Sequence, residues 1–356
     1  MHNSHITAGI LRMNNRSYPS RIIRYRKILE YNNIKSYILG ASDLDFWKKV
    51  RTIDYFIFPL INEHSQIQLA RTVLPVIENI YKKRCFPDQA TSWHYDDKIR
   101  QYYLLYAHGF PVVDTWVFWD QNSALDWIES ATFPLVFKLK SGAASSNVVL
   151  IRKKSEAKIL INKMFSSKGV TCHNVPSRNS LTYLRNLIRL YGLRRYIALK
   201  RGRLDPEKFQ PFWQVQRDYV LFQKFLPDNA FDVRVTVIGA RAFAFLRYVR
   251  PNDFRASGSG LIDYDTSKID MRCVEIAFRI SEKMKFQSMA YDFIFDEEGE
   301  PMIAEISYTF VDTAVYNCPG YFDKSLKWQE GHYWPQYCQL ADLIKDNEIS
   351  HREEPG

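Results

Sequence analysis

The chain has 356 residues, 46% hydrophobic and 15% aromatic, with 49 basic against 39 acidic residues and a formal net charge of +10. That apolar content excludes a disordered chain and is enough for two or three domains. The basic excess points to a polyanionic partner such as a nucleotide or an anionic surface, whereas no zinc-finger spacing or basic–aromatic repeat supports nucleic-acid binding, and no apolar run is long enough to span a bilayer.

Residues 1–5 are polar and carry no secretory-signal pattern. Residues 6–11 read as a strand, 18–32 as a basic amphipathic helix, 36–39 as a short strand and 53–60 as an apolar strand. Residues 65–82 read as a helix, with Ile67, Ala70, Leu74 and Ile77 on one face. This order predicts a small open α/β domain over 1–95, ended by a turn-rich link at 84–88. A helix runs from Lys98 to His108, with Gly109 as its cap. A strand (111–119), a helix (123–130) and two paired strands (135–140 and 148–151) follow, the last two joined by a small-residue loop at 141–147. Residues 155–212 read as a basic helical insertion. Strands at 219–225, 231–238 and 242–248, a helix at 271–284 and a hairpin at 291–307 complete the pattern. The predicted division is 1–95, a lobe at 96–222 carrying the insertion, a second lobe at 223–345 and a flexible tail at 346–356. The five cysteines are scattered without a CxxC pair, as in a reduced, cytoplasmic protein.

The hairpin is the most informative segment. Asp292 and Glu305 interrupt its two apolar strands, and pairing about the turn at Gly299 sets them side by side. Adjacent carboxylates in apolar surroundings repel unless a cation lies between them. Oxygen ligands of this kind suit Mg²⁺, which takes one or two carboxylates plus substrate phosphates. A solvated hairpin is the alternative, and the apolar neighbours argue against it.

The loop from Ser141 through Gly142, Ser145 and Ser146 to Asn147 offers small residues and hydroxyl donors to a phosphate, although an ordinary hairpin loop has the same composition. Lys138 and Lys140 precede it at i and i+2, which on a strand share a face. Two ammonium groups so placed fit the same phosphates; a solvated strand edge is the alternative. Arg247, Arg250 and Arg255 flank a Gly/Ser-rich stretch and read together as anion-binding. Asp232 and Arg234 share a strand face, as a structural ion pair or as part of a site. His94, His108, His173 and His332 lack ligand spacing and read as structural, and no nucleophile elbow is present.

The order of these motifs over about 95–345 resembles the ATP-grasp superfamily. Its strand lysine is similar to Lys138, its phosphate loop to 142–147, its Asp-x-Arg strand to Asp232-Val233-Arg234, its Phe-Arg-x₄-Gly segment to 254–260, and its metal pair to Asp292 and Glu305. Lys98 resembles the first nucleotide-contacting lysine. Gln223, Lys224, Phe225 and Leu226 resemble the hinge whose backbone reads the adenine edge, with Gln223 in place of a more frequent Glu. Ser307 stands where the family usually has Asn, and Leu139 where Pro usually follows the lysine.

The resemblance implies an α/β pre-ATP-grasp domain followed by a two-lobed ATP-grasp domain with antiparallel sheets. It also implies an ATP- and Mg²⁺-dependent carboxylate–amine ligase acting through an acylphosphate. Lys98, Lys138, Lys140, Gly142, Ser145, Ser146 and Asp232 would then hold ATP, Asp292, Glu305 and Ser307 the metal, and Arg234 and Arg255 the transferring phosphate or the acceptor carboxylate. The segment 305–312 is similar to ATP-grasp proteins of bacterial surface-polysaccharide clusters, which implies a sugar-linked or amino-acid acceptor. A kinase acting on a sugar or polyol hydroxyl and a non-catalytic nucleotide- or polyanion-binding module are the alternatives. The basic insertion covers the acceptor site, touches a membrane surface or forms a solvated lid. The aromatic tail (Tyr316, Tyr321, Trp328, Trp334) stacks on a sugar or packs as core.

Overall fold

The computed structural model describes residues 6–12, 20–59, 64–142, 148–167, 169–170, 215–251, 253–345 and 349–350. Ser145, Ser146, most of the expected insertion and all of the expected tail except residues 349–350 lie outside the described residues, and Ile349 is buried.

The N-terminal part alternates strands and helices: β1 (Thr7–Leu11), α1 (Ser20–Tyr31), β2 (Lys35–Leu39), α2 (Phe46–Thr52), β3 (Tyr55–Ile57), α3 (His64–Asn79) and β4 (Arg84–Phe86). The strands form a parallel sheet in the order β2-β1-β3-β4. A parallel sheet needs apolar strands because helices cover both faces, and all three residues of β3 are buried. Two elements differ from expectation. The stretch 84–88, read as a link, contains β4, which pairs with β3 through buried Cys85 and Phe86 and leaves through a cis Phe86–Pro87 bond. Helix α2 has no side-chain cap and buries only Phe46 and Val50, so its sequence signal is weak.

After the short α4 (Gln89–Ser92), α5 (Lys98–Ala107) leads into a small antiparallel sheet of β5 (Thr115–Phe118), β6 (Leu135–Lys138), β7 (Val148–Ile151) and β8 (Val220–Lys224), in the order β5-β8-β6-β7. Helices α6 (Gln121–Ser130) and α7 (Lys154–Met164) cover it, and Ala157, Leu160, Ile161 and Met164 are buried in its core. The first part of the expected insertion, through Met164, is thus a helix packed on this lobe. Strand β8 also carries the small sheet two residues past the expected lobe boundary, through Gln223 and Lys224.

The remaining strands form a large sheet. They are β9 (Phe231–Ile238), β10 (Arg241–Tyr248), β11 (Ile262–Asp263), β12 (Ser288–Phe295), β13 (Pro301–Ser307), β14 (Gly320–Asp323) and β15 (Trp328–Glu330). The order is β13-β12-β9-β10-β14-β15, with β11 on β10. Helix α8 (Met271–Met284) starts at the Asp270 cap and buries Cys273, Val274, Ala277 and Ile280 against one face of this sheet. That core continues into the N-terminal domain through Phe56, Phe58, Leu74 and Ile77. The chain closes with α9 (Asp312–Tyr316) and α10 (Pro335–Leu343), the latter packed on α1. In the aromatic tail, Tyr316 stacks on Trp334 with ring centroids 4.1 Å apart, and Trp328 packs on Phe322.

Candidate functional site

The site lies where the small sheet meets the large one. Its geometry starts in the β12–β13 hairpin. From the turn, Phe295 pairs with Pro301, Ile294 with Met302 and Phe293 with Ile303, but Asp292 then pairs with Glu305 because the register shifts by one. Ala304 is the extra residue of a bulge. In an unbulged hairpin Glu305 would lie opposite Tyr291 on the core side, so the bulge is what sets the two carboxylates abreast. The expected juxtaposition is present, but turn geometry alone does not produce it. At the same point the chain bridges to the small lobe: Ile303 donates to the Pro111 carbonyl (2.8 Å) and accepts from the Val113 N–H (3.1 Å).

Asp292 also lies directly opposite Arg234 on β9, and Asp232 opposite Arg247 on β10. Arg234 donates to both Asp292 oxygens at 2.7 Å. Arg247 donates to both Asp232 oxygens (2.7 and 2.6 Å) and approaches Asp292 at 2.8 Å. Asp232, Arg247 and Asp292 are buried. Burial alone would raise the Asp292 pKa, but the two guanidinium groups outweigh it and hold the carboxyl below the usual range. Burial dominates at Asp232 and pushes its carboxyl up, with the Asp292 charge adding to the effect. Of the two readings of Asp232 and Arg234, a pair with each other is not what forms: each pairs across strands instead, Arg234 with Asp292 and Asp232 with Arg247. Asp292 is charge-compensated by arginines, so its burial beside Glu305 does not itself require a cation.

Lys98, Lys138, Gln223 and Glu305 line one pocket. Asp97 caps α5 by accepting from the Arg100 N–H, which places Lys98 in the first turn, pointing into the cleft. The Lys98 ammonium donates to the Gly142 carbonyl (2.9 Å) and meets Glu305 at 3.2 Å. Burial lowers the Lys98 pKa, but Glu305 and Asp96 reverse the effect, and the net shift is upward. Lys138 ends β6 and donates to the Gln223 side-chain oxygen, while the Gln223 amide donates to Thr115 at 3.1 Å. Among the described residues Lys138 has no carboxylate in ion-pair contact, and burial lowers its pKa to about 8.

Other expected residues lie elsewhere. Lys140 falls past the end of β6, so strand alternation no longer applies, and its ammonium lies 5.3 Å from the Tyr219 ring centroid. Arg255 is clamped by Asp253 and approaches the Val148 carbonyl at 3.5 Å, at the start of β7. The Lys224 N–H donates to the Asp114 carbonyl, which removes that donor from any adenine edge; Phe225 and Leu226 follow it. The Ser307 hydroxyl donates to the Thr309 carbonyl at 2.7 Å and keeps its lone pairs. Asp96 was not anticipated. It sits at φ 53°, accepts from the Gly142 N–H at 2.8 Å, and has its pKa raised to about 6 by burial. The acidic doublet before Lys98 was the available signal.

These residues fit a polyphosphate, because Lys138 is a buried ammonium with a neutral partner and Lys98 lies beside it. Among the described residues no group of three or more His, Cys, Asp and Glu is placed to cage a metal. Glu305 and Asp292 fit a cation only with phosphate oxygens completing its shell, as Mg²⁺ commonly requires.

No protein-family model matches the sequence. No curated protein matches it either. Solved structures do resemble it. A RimK domain ATP-grasp protein from Sphaerobacter thermophilus is 12% identical with a TM-score of 0.54, covering 95% of this chain and 99% of that one. D-cycloserine synthetase DcsG is 15% identical with a TM-score of 0.53, covering 95% and 99%. N5-carboxyaminoimidazole synthetase from Staphylococcus aureus, complexed with ADP, is 12% identical with a TM-score of 0.54, covering 98% of this chain and 78% of that one. The small antiparallel sheet and the large sheet, preceded by the parallel N-terminal sheet, thus have the fold of ATP-grasp structures.

Proposed function

We propose that this chain is an ATP- and Mg²⁺-dependent ligase that joins a carboxylate to an amine through an acylphosphate. One observation carries the reading: the cleft holds buried Lys138 and half-buried Lys98 around Glu305, and Lys138 has no carboxylate in contact among the described residues. The similar Staphylococcus aureus structure is complexed with ADP, which supports a nucleotide in this cleft.

In the proposed reaction a carboxylate oxygen attacks the γ-phosphorus and ADP leaves. The amine then attacks the acyl carbon, phosphate departs and the amine proton is released. Lys98 and Lys138 would hold the phosphates. Arg255, tethered by Asp253 at the start of β7, is the arginine we assign to the transferring group. Arg234 instead orients Asp292. When bound, Mg²⁺ would neutralise charge on the phosphates, with Glu305, Asp292 and Ser307 as its protein side. We assign the acceptor to amino acids or sugar-linked precursors of surface polysaccharides, and the reaction to the cytoplasm, where ATP is supplied. Buried free Cys85, Cys273, Cys318 and Cys338 support a reducing compartment. No helix among the described residues is long and apolar enough to cross a membrane.

The test is thermal stability with Mg²⁺ and ATP, followed by ADP release from pools of carboxylates and amines. A ligand at about a hundred times its Kd adds roughly 2.7 kcal/mol. ADP release that needs both pools supports the ligase. A stable phosphorylated hydroxyl would make the protein a kinase, and metal-dependent binding without turnover would make it a binding module.

A further inference from the structure

A second pocket opens beyond the C-terminal end of the strand that carries Glu305. Arg21 and Tyr25 reach it from α1, Gln336 and Gln339 from α10, and Thr309 and Asp312 from the chain after β13. Phe58, just past the carboxyl end of β3, and Phe86, the last residue of β4, also line it, at the sheet edge where open parallel sheets bind ligands.

Its charges do not balance internally. Asp312 pairs with Arg24 at 2.5 Å and accepts from the Thr313 N–H and the Gln336 amide. Arg21 is half-buried and donates to the Phe310 carbonyl, and it has no carboxylate partner among the described residues. One positive charge is therefore left facing the pocket. Gln336 is 2% exposed, and its amide oxygen has no hydrogen-bond partner while its NH₂ group is fixed on Asp312. A buried acceptor of this kind calls for a donor.

The pocket adjoins the cleft. Thr309 donates to the Tyr95 hydroxyl at 2.8 Å, and the Tyr95 and Tyr308 rings pack with centroids 4.9 Å apart. The Tyr95 hydroxyl feels Arg21 from the pocket and Asp96 and Glu305 from the cleft. Glu305 and Thr309 are four residues apart, at most about 13 Å along an extended chain.

We propose that this pocket binds the second substrate: a small molecule with one carboxylate, held by Arg21, and an N–H or O–H donor, received by the Gln336 oxygen. Calling the ligand a substrate rests on the ligase reading, whereas its binding does not. One guanidinium matches a monoanion through its planar fork. A phosphate dianion would leave a charge unmatched beside Asp312.

The test is ligand-observed NMR without nucleotide, using D-alanine and D-glucuronate as probes. Alaninamide and glucose serve as counterparts lacking the carboxylate, and propionate as the counterpart lacking the donor. At least one acid is expected to bind, its counterparts at least tenfold more weakly. Arg21→Gln and Gln336→Met should each weaken it at least tenfold, with near-UV circular dichroism showing that both variants are folded. Equal binding to the variants, equal binding of the counterparts, tighter binding of inorganic phosphate, or no binding of either acid would overturn the assignment. A missing Mg²⁺–ATP thermal shift would refute the nucleotide reading alone, because the acids are read without nucleotide.

Discussion

Arg247→Met isolates the buried charge network. It removes two hydrogen bonds to Asp232, at 2.7 and 2.6 Å, and a 2.8 Å contact with Asp292. Asp292 keeps its two bonds from Arg234, whereas Asp232, 6% exposed, loses its guanidinium partner. Stripping one partner from a buried ion pair costs about 3–5 kcal/mol, because an uncompensated charge is left behind. Methionine fills much of the arginine stem's volume, so most of that loss is electrostatic. Adding Asp232→Leu removes the stranded charge and should recover most of the loss. Urea denaturation at pH 7 and pH 5 reads both effects. Burial already raises the Asp232 pKa, and losing Arg247 raises it further. A carboxyl with a raised folded-state pKa contributes stability that is complete below its unfolded pKa and is lost as pH rises through the folded value. The deficit of Arg247→Met should therefore be larger at pH 7 than at pH 5. A deficit below about 1 kcal/mol, as for a surface pair, no recovery in the double variant, or a deficit independent of pH would refute the reasoning.

Lys138, lowered to about 8 by burial, should take up a proton when a polyphosphate arrives, so calorimetric binding heats for Mg²⁺–ATP near pH 8 should vary with buffer ionisation enthalpy in wild type and not in Lys138→Met. In the free protein the same depressed pKa contributes stability above the lysine's unfolded value and loses it as pH falls through about 8, a slope that Lys138→Met should abolish in denaturation at several pH values. Glu305→Gln should shift the free protein by about 1 kcal/mol or less, since the Glu305 side chain is 35% exposed, yet remove the Mg²⁺-dependent thermal shift. Asp292→Asn should lose the same shift and also about 3 kcal/mol of stability by denaturation, because it disturbs two buried guanidinium groups. Asp97→Ala should cost about 1 kcal/mol through the lost cap and weaken nucleotide binding by loosening Lys98, as read by denaturation and calorimetry.

Long amphipathic elements were legible because their own residues carry the period. Helix α8 buries Cys273, Val274, Ala277 and Ile280, and the sequence places it at its observed bounds. Strand β4 was not legible: three residues become a strand only because β3 offers a register, Tyr55 to Arg84 and Ile57 to Phe86. Helix α7 was legible only as part of a longer helical stretch. Ala157, Leu160, Ile161 and Met164 have helical spacing, but the surrounding lysines drew the segment into a basic insertion. Lysines on the solvent face of a packed helix are ordinary, so periodicity is the better guide than composition there.

At the site, residue types were legible and partners were not. Which carboxylate meets which guanidinium follows from register across β10, β9, β12 and β13, and the sequence contains no mark of the bulge at Ala304 that turns Glu305 toward Asp292. This changes the physical case for the nucleotide. Repulsion between Asp292 and Glu305 would require a metal only if nothing else compensated them, yet Arg234 and Arg247 hold the first and Lys98 meets the second. What remains uncompensated by contact is Lys138, a buried ammonium beside a neutral amide. The cleft's demand is thus for an anion first. The Glu305 oxygen not engaged by Lys98 can then share a cation with that anion, so metal binding should follow nucleotide rather than precede it.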